Sequence, residues 1–153
     1  MGMSLWVERC ADIRAALVHP DATPPAGRGP TVDVHKAWQA IHFLLCGEAW
    51  TGSGPAAFVL AGGTELGEDM GYGPTRGYSA AETKAIAEVL EGLDAEALVA
   101  RWDPDAVAGA QLYGIEPSNE AEEKGFIAHY YAPMRELILA AAQADEGLLL
   151  RMV

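Results

Sequence analysis

The sequence has few basic residues for its length. Ten lysine and arginine residues stand against 22 aspartate and glutamate residues, which gives a formal net charge of −12. A polyanion would be repelled over most of such a surface, because phosphate groups are bound by concentrations of basic side chains. The charge balance therefore argues against a nucleic-acid partner and suits a basic protein partner, for which complementary charge accelerates encounter.

Cysteines and long apolar runs are also scarce. Cys10 and Cys46 are too few for a disulfide framework, and both fall in apolar helical patterns where a thiol behaves as a small hydrophobic side chain. The longest strongly apolar stretches, such as LILAAA, are far shorter than a membrane span, and the first residues lack the pattern of a secretion signal. We therefore expect a cytoplasmic protein with no membrane partner.

The composition is that of a folded domain. Half of the 153 residues are apolar and 21% are charged, and a chain of this length buries about two-thirds of its unfolded surface without needing a disulfide or a metal. We expect a single domain over residues 1–153. Four prolines and two glycines between residues 20 and 31 predict an exposed loop there.

Helical periodicity and capping residues predict most of the secondary structure. Apolar residues at helical spacing predict a helix over residues 34–46, with Asp33 as its N-cap and Gly47 as its end. Ser79 and Glu82 have the spacing of a capping box before a second helix. Further helices are predicted after Asp94, after Asp103 and from Asn119 onward, the last one kinked or split by Pro133.

Strands are predicted at both ends of the chain and in its middle. The runs MSLWVE at 3–8 and LLLRMV at 148–153 are short and apolar, and AAFVLAGGTELG at 57–68 has a Gly-Gly pair that suits a tight hairpin turn. Unpaired terminal strands would leave backbone groups without partners. The predicted fold is α+β and helix-dominated, with a small sheet that includes both chain termini and a 57–68 hairpin.

The sequence contains no recognisable catalytic motif. Ser53 does not lie in the strand-to-helix turn of hydrolases, and the glycines do not have the spacing of a phosphate-binding loop. His42 and Cys46 lie one helical turn apart, which is a possible metal-ligand pair, but no second pair with ligand spacing follows them. We therefore expect a core histidine and a buried thiol, with no metal and no cofactor.

The most unusual segment is GGTELGEDMGYGPTRG at residues 62–77. It is either a ligand cradle or a turn whose polar residues bind its own backbone. On the structural interpretation, which we favour, Gly71 and Gly73 adopt positive φ, and Arg76 donates to unpaired carbonyls or to Asp69. Asp69 either pairs with Arg76 or caps the turn. On the ligand interpretation Arg76 projects into a cleft.

Two segments resemble the paired signature of the YfbM-like proteins, small bacterial proteins of unknown function. They are VHKAWQAIHFLLCG and GGTELGEDMGYGPTRGYSAAE, and the opening MGM also fits. The shared positions are Lys36 to Trp38, His42 to Leu45, Gly47, Gly62, Gly63, Gly67, Asp69, Gly71 to Pro74 and Arg76. The resemblance implies an α+β fold and a cytosolic bacterial protein, and it implies no reaction.

We interpret the protein as a module that binds a protein or a small molecule. The candidate binding residues are Trp38, His42, Asp69, Tyr72 and Arg76. The alternative is a small enzyme with a pocket near His42, Asp69, Tyr72 and Arg76, in which His42 would act together with Asp69. A structural or oligomeric subunit is a third possibility, and it would present a large apolar surface patch.

Overall fold

The computed structural model describes residues 2–22, 29–69 and 71–153, in which most strands precede a run of four helices and the last strand follows them. The strands are β1 Leu5–Cys10, β2 Thr31–His35, β3 Thr64–Leu66, β4 Thr75–Tyr78 and β5 Gly147–Met152. The helices are α1 Ile13–Val18, α2 Trp38–Cys46, α3 Ala80–Glu91, α4 Ala95–Val99, α5 Pro104–Ala110 and α6 Glu120–Gln143, with a short 3-10 helix at Pro55–Ala57. Among these residues, no helix combines the length and the apolar character needed to cross a membrane.

The strands form one antiparallel sheet in the order β2-β1-β5-β4-β3. The last strand, β5, lies in the middle, where it pairs with β1 on one side and with β4 on the other. Beyond the ends of β1 and β5, Ser4 and Val153 exchange two backbone hydrogen bonds of 2.8 and 2.9 Å. The α+β fold and the placement of both termini in one sheet are thus confirmed.

The two faces of the sheet are covered differently. One face carries Leu5, Val7, Leu148 and Leu150, and it packs into the main core together with buried residues of α2, α3, α4 and α6. The other face carries a smaller cluster in which α1 packs on Cys10, Leu66 and Leu149. Most of the apolar burial therefore lies on the side of the long helices.

Three of the predicted N-caps, Ser79, Asp94 and Asp103, occur where the sequence places them. The Glu82 amide donates to Ser79 Oγ over 3.1 Å and the Ser79 amide donates to Glu82 Oε1 over 3.0 Å, which completes the capping box of α3. Asp94 and Asp103 cap α4 and α5 through their carboxylates. Pro133 lies inside α6, which is a single continuous helix from residue 120 to residue 143.

The predicted start of the first core helix is wrong. Residues 31–35 form strand β2, and α2 begins only at Trp38, without a side-chain cap. Asp33 is a strand residue whose carboxylate accepts a hydrogen bond from the His35 amide over 2.7 Å. Pairing with β1 satisfies the backbone of this segment, so strand formation prevails over the helical spacing of its apolar residues. Gly47 does end the helix, in a left-handed conformation with φ of 82°.

The predicted 57–68 hairpin is also wrong in its first arm. Residues 55–60 form the 3-10 helix and a following turn, and the hairpin consists instead of β3 and β4 joined by residues 67–74. The apolar run at Phe58 and Val59 is buried without being a strand, because side chains of β4 bind its carbonyl groups. The exposed loop predicted over 20–31 lies mostly outside the described residues, which omit 23–28.

Candidate functional site

Arg76, on β4, binds the backbone of the irregular segment that follows the 3-10 helix. Its Nη1 donates to the carbonyl oxygens of Phe58 over 3.1 Å and Gly62 over 3.3 Å, and its Nη2 donates to the carbonyl of Val59. No helix or sheet ladder reaches these carbonyls, so a guanidinium with five donors is well suited to satisfy them. The expectation that Arg76 bonds to unpaired carbonyls is confirmed. We call residues 58–62 the central segment.

Tyr78 supports the same segment, and the sequence analysis missed it. Its hydroxyl lies 2.6 Å from the Phe58 carbonyl oxygen and 2.8 Å from that of Ala61, and it accepts a hydrogen bond from Arg76 Nη1 over 2.8 Å. Burial raises the pKa of this phenol, and the Arg76 guanidinium partly opposes that rise. Its spacing of two from Arg76 would have revealed it, had residues 75–78 been recognised as a strand.

Asp69 closes the loop between β3 and β4. One carboxylate oxygen, Oδ1, accepts hydrogen bonds from the amides of Gly71 over 2.8 Å and Gly73 over 2.9 Å. Both glycines have positive φ, 118° and 92°, a region that side-chain-bearing residues rarely adopt. The glycine-rich stretch is therefore shaped by contacts with its own backbone, as the structural interpretation requires.

The loop nevertheless borders a cavity of about 210 Å³, which we call the loop cleft. Tyr72 and Pro74 line it from the loop, and Arg76 and Leu150 line it from the sheet, together with Leu60 of the central segment. Tyr72 is 59% exposed although it is a large aromatic residue. Two of the predicted site residues, Tyr72 and Arg76, thus meet at one apolar concavity.

His42 lies in the core and does not line this cleft. Its side chain is fully buried, its Nε2 donates to the Thr51 carbonyl over 2.8 Å, and the Cys46 sulfur lies 3.3 Å from the same nitrogen. Desolvation lowers the pKa of His42, and the Thr51 hydrogen bond opposes that shift. Because Nε2 bonds to a carbonyl, the neutral ring leaves Nδ1 as a buried acceptor, and no described residue donates to it.

Trp38 and Asp69 also lie outside the loop cleft. Trp38 is buried, donates from its indole nitrogen to the Met3 carbonyl over 3.1 Å, and packs with its ring centroid 5.4 Å from that of Tyr113. The hydrogen-bond partners of Asp69 are Gly71 and Gly73, and those of His42 are Thr51 and Cys46. The His42–Asp69 pair considered for an enzyme therefore does not form.

Of the two cysteines, Cys10 lies in an environment that disfavours the thiolate. Burial raises the pKa of Cys10 to about 11, and a hydrogen bond to Asp12 adds to the effect. Cys46 is half-buried and lies at the C-terminal end of α2. Among the described residues, no group of three or more potential ligands could hold a metal ion.

These features define an α+β domain with a central C-terminal strand and an apolar cleft beneath a glycine-rich loop. The chain belongs to the family described as a domain of unknown function, DUF1877, whose model matches residues 12–151. The fold also resembles that of YfbM from Escherichia coli, a protein of unknown function, with a TM-score of 0.67 and 19% identity over 99% of this chain and 100% of that one. A comparison with curated proteins finds no significant match.

Proposed function

We propose that the protein is a binding module that receives one aromatic side chain of a basic partner protein in the loop cleft. The exposure of Tyr72 beside an apolar concavity carries this proposal. Tyrosine is a preferred anchor in protein interfaces, where it offers a large contact area at little cost in conformational entropy. A ring that enters the cleft would pack against Tyr72 and Pro74, with Leu150 beneath it.

The size of the loop cleft favours a side chain over a larger free ligand. Its volume is about 210 Å³, whereas sites for small molecules usually span about 300–1,000 Å³. Arg76 offers a polar contact, because its Nε makes no hydrogen bond to any described residue. A tyrosine side chain, whose hydroxyl oxygen accepts from Nε, therefore suits the cleft better than phenylalanine.

The distribution of charge supports a basic partner. Arg101 donates to the carbonyls of Leu44 and Leu45, and Arg135 donates to those of Leu90 and Glu91. Arginines at the ends of α2 and α3 are thus engaged with the backbone, as Arg76 is in the central segment. With a net charge of −12 and such internal use of its arginines, the protein presents mainly carboxylates to a partner. We propose the cytoplasm as the compartment of this encounter.

The proposal is tested with N-acetyl-tyrosinamide, observed by two-dimensional NMR of ¹⁵N-labelled protein. We expect saturable shifts at the amides of Gly71, Gly73 and Arg76, with a dissociation constant of about 1 mM for a single anchoring side chain. N-acetyl-phenylalaninamide should bind more weakly, because it has no hydroxyl for Arg76.

Two variants decide where the probe binds. Tyr72→Ala should abolish the shifts, whereas Trp50→Ala, which removes another exposed aromatic residue outside the loop cleft, should leave them unchanged. Shifts that persist in Tyr72→Ala, or no shifts at the loop at all, would contradict the proposal.

A further inference from the structure

A second cavity lies on the other side of the central segment, between residues 54–63 and α3. Its volume is about 270 Å³, and we call it the α3 cleft. We propose that the α3 cleft binds an organic cation, a primary ammonium group on a short hydrocarbon chain, through the carboxylate of Glu82. This inference does not depend on the function proposed for the loop cleft.

The walls of the α3 cleft are apolar. Pro55 and Phe58 line one side, Ala85 and Ile86 of α3 line the other, and the ring of Tyr78 also contributes. The Tyr78 hydroxyl is already engaged with the central segment and with Arg76, so it offers little to a ligand. The body of a ligand must therefore be hydrocarbon.

Glycines keep this cavity open. Gly54 and Gly62 line it with φ of 77° and 88°, a region that disfavours other residues. A Cβ atom at Gly54 would have no neighbour within 4 Å, so the space beside it is unfilled. The backbone conformation thus holds a concavity that ordinary side chains would narrow.

Glu82 is the charged residue among those that line the α3 cleft. Its Oε1 accepts from the Ser79 amide over 3.0 Å, and no described residue donates to its Oε2. Glu82 already places a carboxylate at the positive N-terminal end of α3, so a second anion is disfavoured there. A cation is favoured, both by Glu82 and by the net charge of −12.

The probe is n-butylammonium, titrated into ¹⁵N-labelled protein at constant ionic strength. We expect saturable shifts at the amides of Gly62, Gly63 and Ala85, with 1-butanol binding about fivefold more weakly, as the loss of one exposed ion pair implies. Butyrate should bind more weakly still. Equal affinity for butylammonium and butanol, or no shifts at these amides, would overturn the proposal.

Glu82→Gln is the decisive variant, because glutamine keeps the capping box of α3 and removes only the charge. We expect it to weaken butylammonium binding about fivefold, to the level of butanol. Glu88→Gln makes the same charge change at an exposed position of α3 outside the cleft, and it should leave binding unchanged. An equal loss in Glu88→Gln would overturn the proposal, because it would assign the effect to net charge alone. The wild-type comparison of butylammonium with butanol remains decisive even if Glu82→Gln does not fold.

The same ammonium chemistry is offered by free alkylamines and by the lysine side chain of a protein. Nα-acetyl-lysine N-methylamide separates these sources, since it carries the lysine side chain on a peptide-like backbone. If this lysine derivative binds as tightly as butylammonium, the α3 cleft is assigned to a lysine of a partner. If the lysine derivative does not bind while butylammonium does, the cleft is assigned to a free amine. Both results require that butylammonium binds in a Glu82-dependent manner.

Discussion

Arg76 joins two parts of the chain that no regular hydrogen-bond ladder connects. The carbonyls of Phe58, Val59 and Gly62 all accept from its guanidinium, and its Cζ lies 5.8 Å from the ring centroid of Tyr78. A truncation at this position would leave the carbonyls of Val59 and Gly62 without their donor, while that of Phe58 would keep the Tyr78 hydroxyl. The central segment, which separates the two clefts, therefore depends on two side chains of β4, Arg76 and Tyr78.

Replacing Arg76 by alanine should lower the free energy of unfolding by about 1–3 kcal/mol, because the freed carbonyls lose their donors. Urea denaturation followed by circular dichroism measures this change. Arg14→Ala is the control, since Arg14 is exposed on α1 and should change stability by less than about 0.5 kcal/mol. An unchanged transition in Arg76→Ala would mean that its hydrogen bonds contribute little and that the residue serves a ligand.

The buried imidazole of His42 should make stability depend on pH. Its folded-state pKa lies below the ordinary value of 6.5, so below that pH the unfolded chain takes up a proton that the folded chain refuses. Stability should therefore fall as the pH drops from about 6.5 toward the folded-state pKa, by at most about 1.4 kcal/mol per pH unit. Urea titrations between pH 7.5 and 5 measure this slope.

His42→Gln provides the comparison for this slope, because a glutamine amide can still donate to the Thr51 carbonyl but does not titrate. The difference in stability between wild type and variant should vary with pH over the same interval. His129→Gln, at an exposed histidine, should retain the wild-type slope. A wild-type-minus-Gln difference that stays constant with pH would exclude His42 as the cause.

At the scale of elements, local chemistry predicts α3, α4 and α5 well. Their caps act within a few residues, so Ser79, Asp94 and Asp103 indicate the helix starts without knowledge of the rest of the fold. The two failures depend on distant partners. Residues 31–35 become a strand because β1 lies beside them, and residues 57–60 are not a strand because Arg76 and Tyr78 bind that region instead.

In the candidate site, too, the local features are predictable from the sequence and those that depend on distant partners are not. Tyr72 and Arg76 could be chosen from the sequence, because an exposed aromatic residue and an arginine stand out in a glycine-rich segment. The apolar floor that makes the loop cleft, such as Leu5, Leu60 and Leu150, comes from segments far apart in the chain. Only the strand order brings them together, and periodicity does not encode that order.

Two glycine-to-alanine changes test the packing of elements in opposite directions. At Gly147, the first residue of β5, a Cβ atom would overlap the Tyr78 carbonyl and lie 2.5 Å from Ile13 Cγ1, so Gly147→Ala should cost about 1–3 kcal/mol through overpacking. At Gly125 in α6 a Cβ atom would meet nothing within 4 Å, so Gly125→Ala should stabilise the protein by about 0.5–1 kcal/mol. Thermal unfolding measures the shift of the midpoint in each variant. Midpoints that move in the same direction in both variants would contradict the prediction.

At the scale of the whole molecule, the net charge of −12 opposes the compact state. Arg9 and Arg151 are paired with Glu146 and Glu8, and other arginines bind carbonyls, so unpaired carboxylates dominate the remaining surface. Their mutual repulsion acts over about 30 Å at 10 mM salt and over much shorter distances at high salt.

Salt should therefore stabilise the protein at neutral pH. Between 10 mM and 500 mM NaCl we expect the melting temperature at pH 7 to rise, by about 2–4 °C for each kcal/mol of relieved repulsion. Near pH 4.6, the isoelectric point of the sequence, the same change in salt should have little effect. An equal rise at both pH values would assign the effect to salting-out of apolar surface rather than to charge.

The central position of β5 affects the rate at which the chain folds. Pairing of β1 with β5 closes a loop that spans almost the whole chain, and this closure has a large entropic cost before any contact compensates for it. Because Ser4 and Val153 already exchange two backbone hydrogen bonds, a short glycine-rich linker can join the two ends, with new termini opened in the turn between half-buried Pro117 and exposed Ser118. In such a circular permutant the slowest pairing becomes a local hairpin, so refolding in a stopped-flow experiment should accelerate while the equilibrium sheet stays the same.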